Sequence, residues 1–477
     1  MENNVLPIWT EFPPKGEGSR IDEYARLRQL FKGNHDEVFS RLQTWLESEG
    51  DKAIIYIVCN FAGIISRTCA DFLFGEPFRA IVGESDGREQ QAVNRIINDN
   101  NLQTVCYEMA LSNSWRGDSV FKARFGKFYG WAEQPQAIVE SVPAHTFFPH
   151  FVPGNIREYT GATIAFPVEL GEKKYLFKEI HLPGQILNEL WRLEGSEIKD
   201  QVKLSTIPAY AGLQESVATG YPGLLVEHVP NWRLDDEFWG VSDYSDLESL
   251  FDELNNRISK ASRILDKHSD PKLILPPGSM QYDDRTNRYY VNKDDLQCFE
   301  VDTERVGSDL PRYLVWDAQL EAAFKQIDNL LSMLMMCAEI SPSMFGMDKY
   351  GVAESGRALK YRLIRTMAKV NRKKKYFDQG LRNILYAAQV LESQYGIDRG
   401  FEPRYPRIEW ADGLPTDELE TAQTEQVRLA AGNTSVESSV RRSDGLEGDE
   451  LKREMERIDA DRKASMVIVP EVNTYEE

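Results

Sequence analysis

The sequence has few of the features that mark secreted or membrane-spanning proteins. Its 477 residues include five cysteines, an odd number with no C-x-x-C pair, so reduced thiols are expected rather than a disulfide framework. The first twenty residues lack the basic segment and apolar core of a signal peptide. The most apolar run, residues 53–75, is interrupted by charged side chains, whereas a membrane span needs ~20 residues with few or no charges. We therefore expect a soluble, intracellular chain without membrane contact.

Basic charge is also scarce. The chain carries 56 Lys and Arg against 76 Asp and Glu, a formal net charge of −20. A protein that grips nucleic acid over a wide surface neutralises phosphates with basic side chains. The charge therefore argues against tight DNA binding, although it is compatible with a surface along which DNA passes without adhering.

One segment of the sequence partly matches the pattern of a phosphate-binding loop. Residues 351–358 read GVAESGRA, close to the pattern G-x-x-x-x-G-K-[ST]. Arg357 stands in place of the lysine, Ala358 replaces the hydroxyl that would ligate Mg²⁺, and Pro342 with a helix precedes the loop where a strand is required. We interpret the glycines as freedom for a loop that leads into a helix, not as a nucleotide site.

Other catalytic and metal-binding patterns are weak. His145 and His150 have no cysteine near them, so zinc is not expected. The acidic triplet at 235–237 is interpreted as a solvated loop, with a divalent-ion site as the alternative. Because no Cys/His pairing can be placed in one site, the sequence predicts no catalytic residue, no metal and no cofactor.

The order of hydrophobic patterns predicts an α+β protein. Helical periodicity appears near residues 21–31, 39–49, 52–74 and 88–113. Residues 118–229 contain short β-rich runs separated by Gly, Pro and Asn, which is typical of a strand meander.

Two long amphipathic helices are predicted on either side of a small, strand-containing module. The first follows Ser245 and Glu248, which have the spacing of a capping box, and the second runs from near Pro311 to Ser341-Pro342. Apolar residues recur every three or four positions in both: Leu247, Leu250, Leu254, Ile258, Leu320, Phe324, Ile327 and Leu331. The pattern indicates a stalk that carries a compact head.

A third long helix is predicted from about residue 355 to 395, after a loop at 341–356. It contains a basic cluster: Arg362, Arg365, Lys369, Arg372, Lys373 and Lys374. The run NRKKKY (371–376) interrupts the apolar stripe, and a kink is expected there. The basic cluster could neutralise acidic groups of a neighbouring subunit or of the same chain, or it could face DNA. In the acidic C-terminal section, Thr434 and Glu437 predict another capping box.

Several segments resemble the portal protein of tailed double-stranded-DNA phages, of the long-tailed-phage type. They occur in the family's order and span most of residues 55–420: DFLFGEPF, WRGDSVFKARF, SVPAHTFFPHF, HVPNWRLDDEFWGVSDYSDLESLFDELNNRIS, ESGRALKYRLIRTMAKVNRKKKYFDQGL and IEWADGLPTDELE. Each segment alone is a weak signal, whereas their order and spacing together are specific.

The resemblance implies a ring-forming α+β portal fold. It divides the chain into an N-terminal part of a helical and β wing (1–241), stem helices (242–268 and 314–340), a small α/β clip (269–313), a tunnel loop (341–356), a long wing helix with its return strand (357–414), a helical crown (415–465) and a flexible tail (466–477).

It also implies a function and partners. The portal would be a dodecameric ring at one capsid vertex of the virion, assembled in the host cytoplasm, through which double-stranded DNA is packaged and ejected without sequence specificity. Expected partners are the terminase large subunit, a head-completion or adaptor protein, and the major capsid and scaffolding proteins. The stem residues given above would pack between subunits.

In portals the tunnel loop forms the narrowest part of the channel. The resemblance places Met344, Phe345, Met347, Asp348, Lys349, Tyr350 and Val352 against DNA, with Gly346, Gly351 and Gly356 allowing the loop to move. Two other interpretations stay open, a different structural ring of the head–tail junction (a collar or minor head protein) and a packaging ATPase. The stalk–module–stalk order disfavours the former, and the failed phosphate loop disfavours the latter.

Overall fold

The computed structural model describes most of the chain, in two compact units. The described residues are 7–49, 56–84, 87–128, 134–269, 272–274, 281–290, 312–314, 320–345, 360–397, 399–411, 418–446 and 448–466. The first unit comprises Met1–Lys32, Ala62–Ser245 and Ala338–Glu477, and the second comprises Gly33–Phe61 and Asp246–Cys337.

Helices and strands alternate in blocks, as the α+β pattern predicts. The helices are α1 (Gly18–Lys32), α2 (His35–Val38), α3 (Arg41–Glu49), α4 (Phe61–Phe74), α5 (Arg88–Asp99), α6 (Leu102–Arg116), α7 (Glu248–Ser269), α8 (Leu320–Cys337), α9 (Ile364–Tyr395), α10 (Glu418–Ala430), α11 (Val436–Ser443) and α12 (Gly448–Met466). The strands are β1 (Arg79–Ile81), β2 (Asp118–Gly126), β3 (Gln136–Val142), β4 (Phe147–Val152), β5 (Asn155–Leu170), β6 (Lys173–Leu182), β7 (Gln185–Glu194), β8 (Glu197–Val202), β9 (Ser216–Ala218), β10 (Val226–Pro230), β11 (Lys272–Ile274), β12 (Gln281–Asp283), β13 (Arg288–Tyr290), β14 (Arg312–Leu314) and β15 (Arg407–Glu409).

The largest sheet of the first unit is an antiparallel meander. Its order is β4-β5-β6-β7-β8, and β9 adds to β7. β5 and β6 pair without a register shift from Ala162 opposite His181 to Leu170 opposite Lys173. The β-rich character predicted for residues 118–229 is confirmed, with β4 to β9 in this sheet and β2, β3 and β10 in a separate sheet.

The core of the first unit lies where α9 packs on a second sheet, ordered β10-β2-β3. Phe377 and Leu381 of α9 are buried in one cluster with Phe121 of β2 and Val229 of β10. Gly380 permits this close approach, because a Cβ there would lie 2.5 Å from Cγ2 of Val229. Helices α4, α5 and α6 and strands β1, β3 and β15 also contribute apolar side chains to this cluster.

The second unit contains α7 and α8, which contact one another, and the segment 33–61. The helix predicted for residues 52–74 is wrong over 56–60, since α4 begins at Phe61. The backbone N–H groups of Ile57 and Cys59 donate instead to Ser259 Oγ and Asn255 Oδ1 of α7, each at 2.9 Å. Polar side chains of a distant helix therefore replace the local helical hydrogen bonds.

Other boundaries also differ from the sequence predictions. The helix expected at 88–113 is two helices, separated where Asn101 takes a positive φ of 47°. α11 is capped by Ser435, whose Oγ accepts from Ser438 N at 3.1 Å, and not by Thr434.

The capping box predicted at Ser245 is also wrong. The Ser245 hydroxyl donates to Ser242 O, and α7 begins at Glu248. α9 runs without interruption through residues 371–376, where a kink was expected, because lysine and arginine are good helix formers.

Candidate functional site

Helix α8 presents apolar side chains that the chain leaves largely exposed. Phe324 is 47% exposed, Met333 51% and Met336 77%, whereas Leu334 and Met335 are buried. The other predicted stem residues of this helix, Leu320, Ile327 and Leu331, are half-buried. An amphipathic helix is stabilised by burial of its apolar side, so α8 has apolar surface available to a further partner.

Helix α7 buries more of its predicted stripe within the chain. Leu247 and Leu254 are each 1% exposed, and Leu250 and Ile258 are half-buried. Its buried side also includes Asn255 and Ser259, which sequence reasoning missed because polar residues do not enter a hydrophobic stripe.

The described part of the predicted tunnel loop is its first turn. Met344 is half-buried and Phe345 is 40% exposed in the 3₁₀ turn Pro342–Phe345. Ser341 N donates to Thr366 Oγ1 at 2.9 Å, which ties the start of the loop to α9. The remaining predicted loop residues lie outside the described residues: Gly346, Met347, Asp348, Lys349, Tyr350, Gly351, Val352 and Gly356.

The basic cluster of α9 separates into exposed and buried members. The exposed side chains of Arg365 and Arg372 both pair with Glu339, Arg365 at 2.5 Å. Arg362 precedes α9 and is half-buried. Lys374 is buried, donates to Ala411 O at 2.7 Å and lies over the Trp410 ring.

Lys369 and Lys373 turn into the first unit and meet a buried carboxylate. The ammonium of Lys373 lies 2.5 Å from Oδ2 of Asp243, and that of Lys369 lies 3.3 Å from Oδ1. Ser114 Oγ donates to Oδ2 at 2.5 Å, and Asn231 Nδ2 donates to Oδ1 at 3.1 Å. These two lysines therefore neutralise a group of their own chain, and positions 369 and 373 share the buried helix face of Phe377.

The environment keeps this cluster charged. Burial alone would raise the pKa of Asp243, but the charges of Lys369 and Lys373 outweigh it and hold the pKa well below its usual range. Burial would lower the pKa of Lys369, but Asp243 raises it above its ordinary value. A permanently charged cluster holds elements together but offers no group ready to exchange a proton. We interpret it as the fastening of α9 to α6 and to the segment that follows β10.

A second buried carboxylate, Asp118, stands at the start of β2. Its Oδ1 accepts from His228 and from the Gly240 backbone N, each at 2.7 Å, and its Oδ2 accepts from Tyr24 Oη at 2.5 Å. Asp118, Asn231 and Asp243 all lie in segments quoted for the family resemblance, WRGDSVF and HVPNWRLDDEFWGVSDY. The resemblance located these segments, although it did not reveal that their polar side chains form buried networks.

The described part of the chain has neither a metal-binding cluster nor a membrane-spanning helix. No group of three or more His, Cys, Asp or Glu side chains is placed there to hold a metal ion. Asp235, Asp236 and Glu237 are all exposed, as the solvated-loop interpretation expects. None of the described helices is long and apolar enough to cross a bilayer.

A sequence model described as "Phage portal protein, SPP1 Gp6-like" matches residues 14–466. The chain belongs to this family of phage portal proteins. The predicted family and the α+β portal fold are thus confirmed, and the family is a structural one. No curated protein sequence matches this chain.

Solved structures of phage-like particles contain chains similar to this portal protein. One, from the virion of a native gene transfer agent particle, is 11% identical with a TM-score of 0.45, and covers 89% of this chain and 94% of its own. A chain in the neck of the empty particle, computed with C6 symmetry, is 11% identical with a TM-score of 0.44 over 86% and 94%. The neck of the native particle, computed with C12 symmetry, gives 11% identity and a TM-score of 0.39 over 80% and 88%.

Proposed function

We propose that this portal protein assembles into a dodecameric ring at one vertex of a capsid, and that double-stranded DNA enters and leaves through its central channel. The observation that carries the proposal is the family match, which extends over residues 14–466. The ring forms in the host cytoplasm with scaffolding and major capsid proteins and remains in the virion. The energy for DNA movement comes from a separate terminase.

Exposed apolar side chains around α8 support assembly with further copies of the chain. Phe324, Met333 and Met336 each expose about half or more of their surface. In a ring each stem has neighbours on both sides, so a second copy would cover such side chains and remove their apolar area from water. We assign residues 242–268 and 314–340 to this stem.

The net charge supports a channel through which DNA slides. Twelve copies at −20 each would carry a formal charge of roughly −240. A negative channel wall repels phosphate, which lowers the attraction that would otherwise hold DNA in place.

The remaining segments have assigned places in this proposal. Residues 1–241 and 357–414 form the wing, 269–313 the clip, 341–356 the tunnel loop, 415–465 the crown and 466–477 the tail. The clip is the docking surface for the terminase large subunit and, after packaging, for a head-completion or adaptor protein.

Electron microscopy of the purified protein, with mass photometry, tests ring formation. We expect rings with a central hole, and we expect Phe324→Glu to shift the population toward monomers, because a charge in a buried apolar interface is costly. Gln214→Glu is the control, since residue 214 is exposed outside α7 and α8 and gains the same charge. A wild-type protein that stays monomeric under all conditions, or equal assembly of both variants, would contradict the proposal.

DNA passage needs its own experiment. We propose that Lys349 of the tunnel loop tempers the negative wall at its narrowest part. Lys349→Glu should change the packaging velocity in a reconstituted system with capsids and terminase. Unchanged packaging and ejection rates in properly assembled rings would remove Lys349 from the DNA path without affecting the ring assignment.

A further inference from the structure

A pocket of about 150 Å³ lies in the first unit beside the central strands of the meander sheet. Its walls come from the segment before α1 and from β4, β5, β6 and β7: Pro7, Ile8, Trp9, His150, Thr163, Lys178, Ile180, Glu189 and Trp191. The proposed ring and channel do not require this pocket.

Backbone hydrogen bonds of the residues that follow Trp9 hold this part of the pocket wall in place. Ile198 N donates to Thr10 O at 2.9 Å, and Phe12 N donates to Ser196 O at 2.8 Å. The Trp9 ring also meets Phe148 edge-on, with ring centroids 5.1 Å apart. The N-terminal segment is therefore built into the pocket at this point.

Lys178 brings a buried cation to the pocket. The residue is 6% exposed, and its Nζ lies 4.6 Å from the centroid of the Trp9 ring and 5.0 Å from that of Trp191. Among the residues that the structure describes, none accepts a hydrogen bond from this ammonium or forms an ion pair with it. Ring faces attract a cation, but they leave the three N–H donors of an ammonium without acceptors.

The nearby acidic group does not pair with Lys178. Glu189 stands opposite Lys178 in the β6–β7 register, yet its Oε2 accepts from Trp191 Nε1 at 2.8 Å. Burial lowers the pKa of Lys178, and the negative charge of Glu189 only partly opposes this effect. Elsewhere in the same unit, the buried Lys373 has its own carboxylate partner in Asp243.

Apart from Lys178 and Glu189, the titratable and hydroxyl side chains of the pocket are neutral near physiological pH. The His150 Nε2 and Thr163 Oγ1 atoms form a hydrogen bond of 2.8 Å. Burial lowers the pKa of His150 to about 4, so the imidazole carries no charge at neutral pH. Lys178 is thus the single cation among the lining residues.

We propose that this pocket binds a small monocarboxylate, whose oxygens accept the unused N–H donors of Lys178 while its short apolar stem packs between Trp9 and Trp191. A volume of about 150 Å³ suits a small ligand with a short apolar stem. The charge of Glu189 disfavours a phosphate dianion. The carboxylate is either a free metabolite or the side chain of an acidic residue on another protein.

Saturation-transfer NMR on the assembled protein tests the proposal, with propionate as the probe and propionamide as its neutral counterpart. We expect transfer to the propionate methyl group and none to propionamide, because only the carboxylate pairs with Lys178. Lys178→Met should weaken propionate binding about tenfold or more. Lys174→Met is the matched control, since Lys174 lies on the same strand but is exposed and paired with Glu169.

The two sources of the carboxylate give different results. If N-acetylglutamate α-amide displaces propionate, an acidic side chain on a backbone fits the pocket; if it does not, the ligand is a free acid. Equal transfer to propionate and propionamide in the wild-type protein would overturn the proposal without any variant. It would also be overturned by an unchanged signal in Lys178→Met or by the absence of any signal at millimolar propionate.

Discussion

The ammonium of Lys373 lies 2.5 Å from Oδ2 of Asp243, and both side chains are 2% exposed. A buried ion pair adds little net stability, but removing one partner leaves an uncompensated charge and costs about 3–5 kcal/mol. Asp243→Asn keeps the shape of the side chain and leaves Lys369 and Lys373 without their counter-charge. We expect the free energy of unfolding to fall by roughly that amount, measured by denaturant titration.

Lys375→Met is the control for Asp243→Asn. Residue 375 lies on the same helix and is exposed, so its loss should change the free energy of unfolding by no more than about 0.5 kcal/mol. Similar small effects in both variants would mean that water reaches Asp243 and that the cluster does not fasten α9.

Gly240 and Gly117 bring two backbone segments into contact. A Cβ at position 240 would lie 2.0 Å from Gly117 O and 2.9 Å from Asn231 N, so the segments would have to separate. Gly240→Ala should destabilise the protein by roughly 1–3 kcal/mol or more, as overpacking does. Gly212→Ala is the control, because a Cβ there meets nothing within 4 Å. Thermal unfolding midpoints compare the two variants; an unchanged midpoint for Gly240→Ala would contradict the close approach.

The sequence predicts those parts of the structure that depend on residues close together in the chain, and not those that depend on residues far apart. Period-two and period-three-to-four patterns are local, and they correctly predicted the β-rich region and the existence of α7 and α8. The predicted start of the second long helix near Pro311 is wrong, since residues 312–314 form β14 and α8 begins at Leu320. The pairing of Lys373 with Asp243 joins residues 130 positions apart, so no local pattern contains it. One signal was nevertheless present: Lys369 and Lys373 precede Phe377 and Leu381 at spacings of four, which places all of them on one helix face.

Asn255 explains why residues 56–60 are not helical. Its Oδ1 accepts from Cys59 N at 2.9 Å and its Nδ2 lies 2.9 Å from His35 Nδ1, so it joins two parts of the second unit to α7. Asn255→Leu should leave a backbone donor unsatisfied and cost about 1–3 kcal/mol. Hydrogen exchange at the Cys59 amide should accelerate in this variant. Ser249→Leu, at an exposed position of the same helix, should leave that exchange rate unchanged; equal rates in both variants would refute the role of Asn255.

Glu227 should make the stability of the first unit depend on pH. Burial raises its pKa from 4.5 to about 7, although Asn383 Nδ2, which donates to Oε1 at 2.9 Å, partly opposes the shift. Between pH 4.5 and about 7, Glu227 is protonated in the folded state and ionised in the unfolded state. The contribution of Glu227 to stability is therefore intact below pH 4.5 and is lost as the pH rises through 7.

Glu227→Gln removes this dependence. At pH 8 the variant should be more stable than the wild type by on the order of 2 kcal/mol, and the difference should shrink toward pH 4.5. Glu140→Gln provides a control of opposite sign: burial would raise the pKa of Glu140, but Lys122 and Arg124 outweigh it and lower the pKa. That variant should be less stable than the wild type at neutral pH. Denaturant titrations across pH 4 to 8 measure both effects, and a Glu227→Gln profile parallel to the wild type would show that the carboxylate is ionised and solvated in the folded protein.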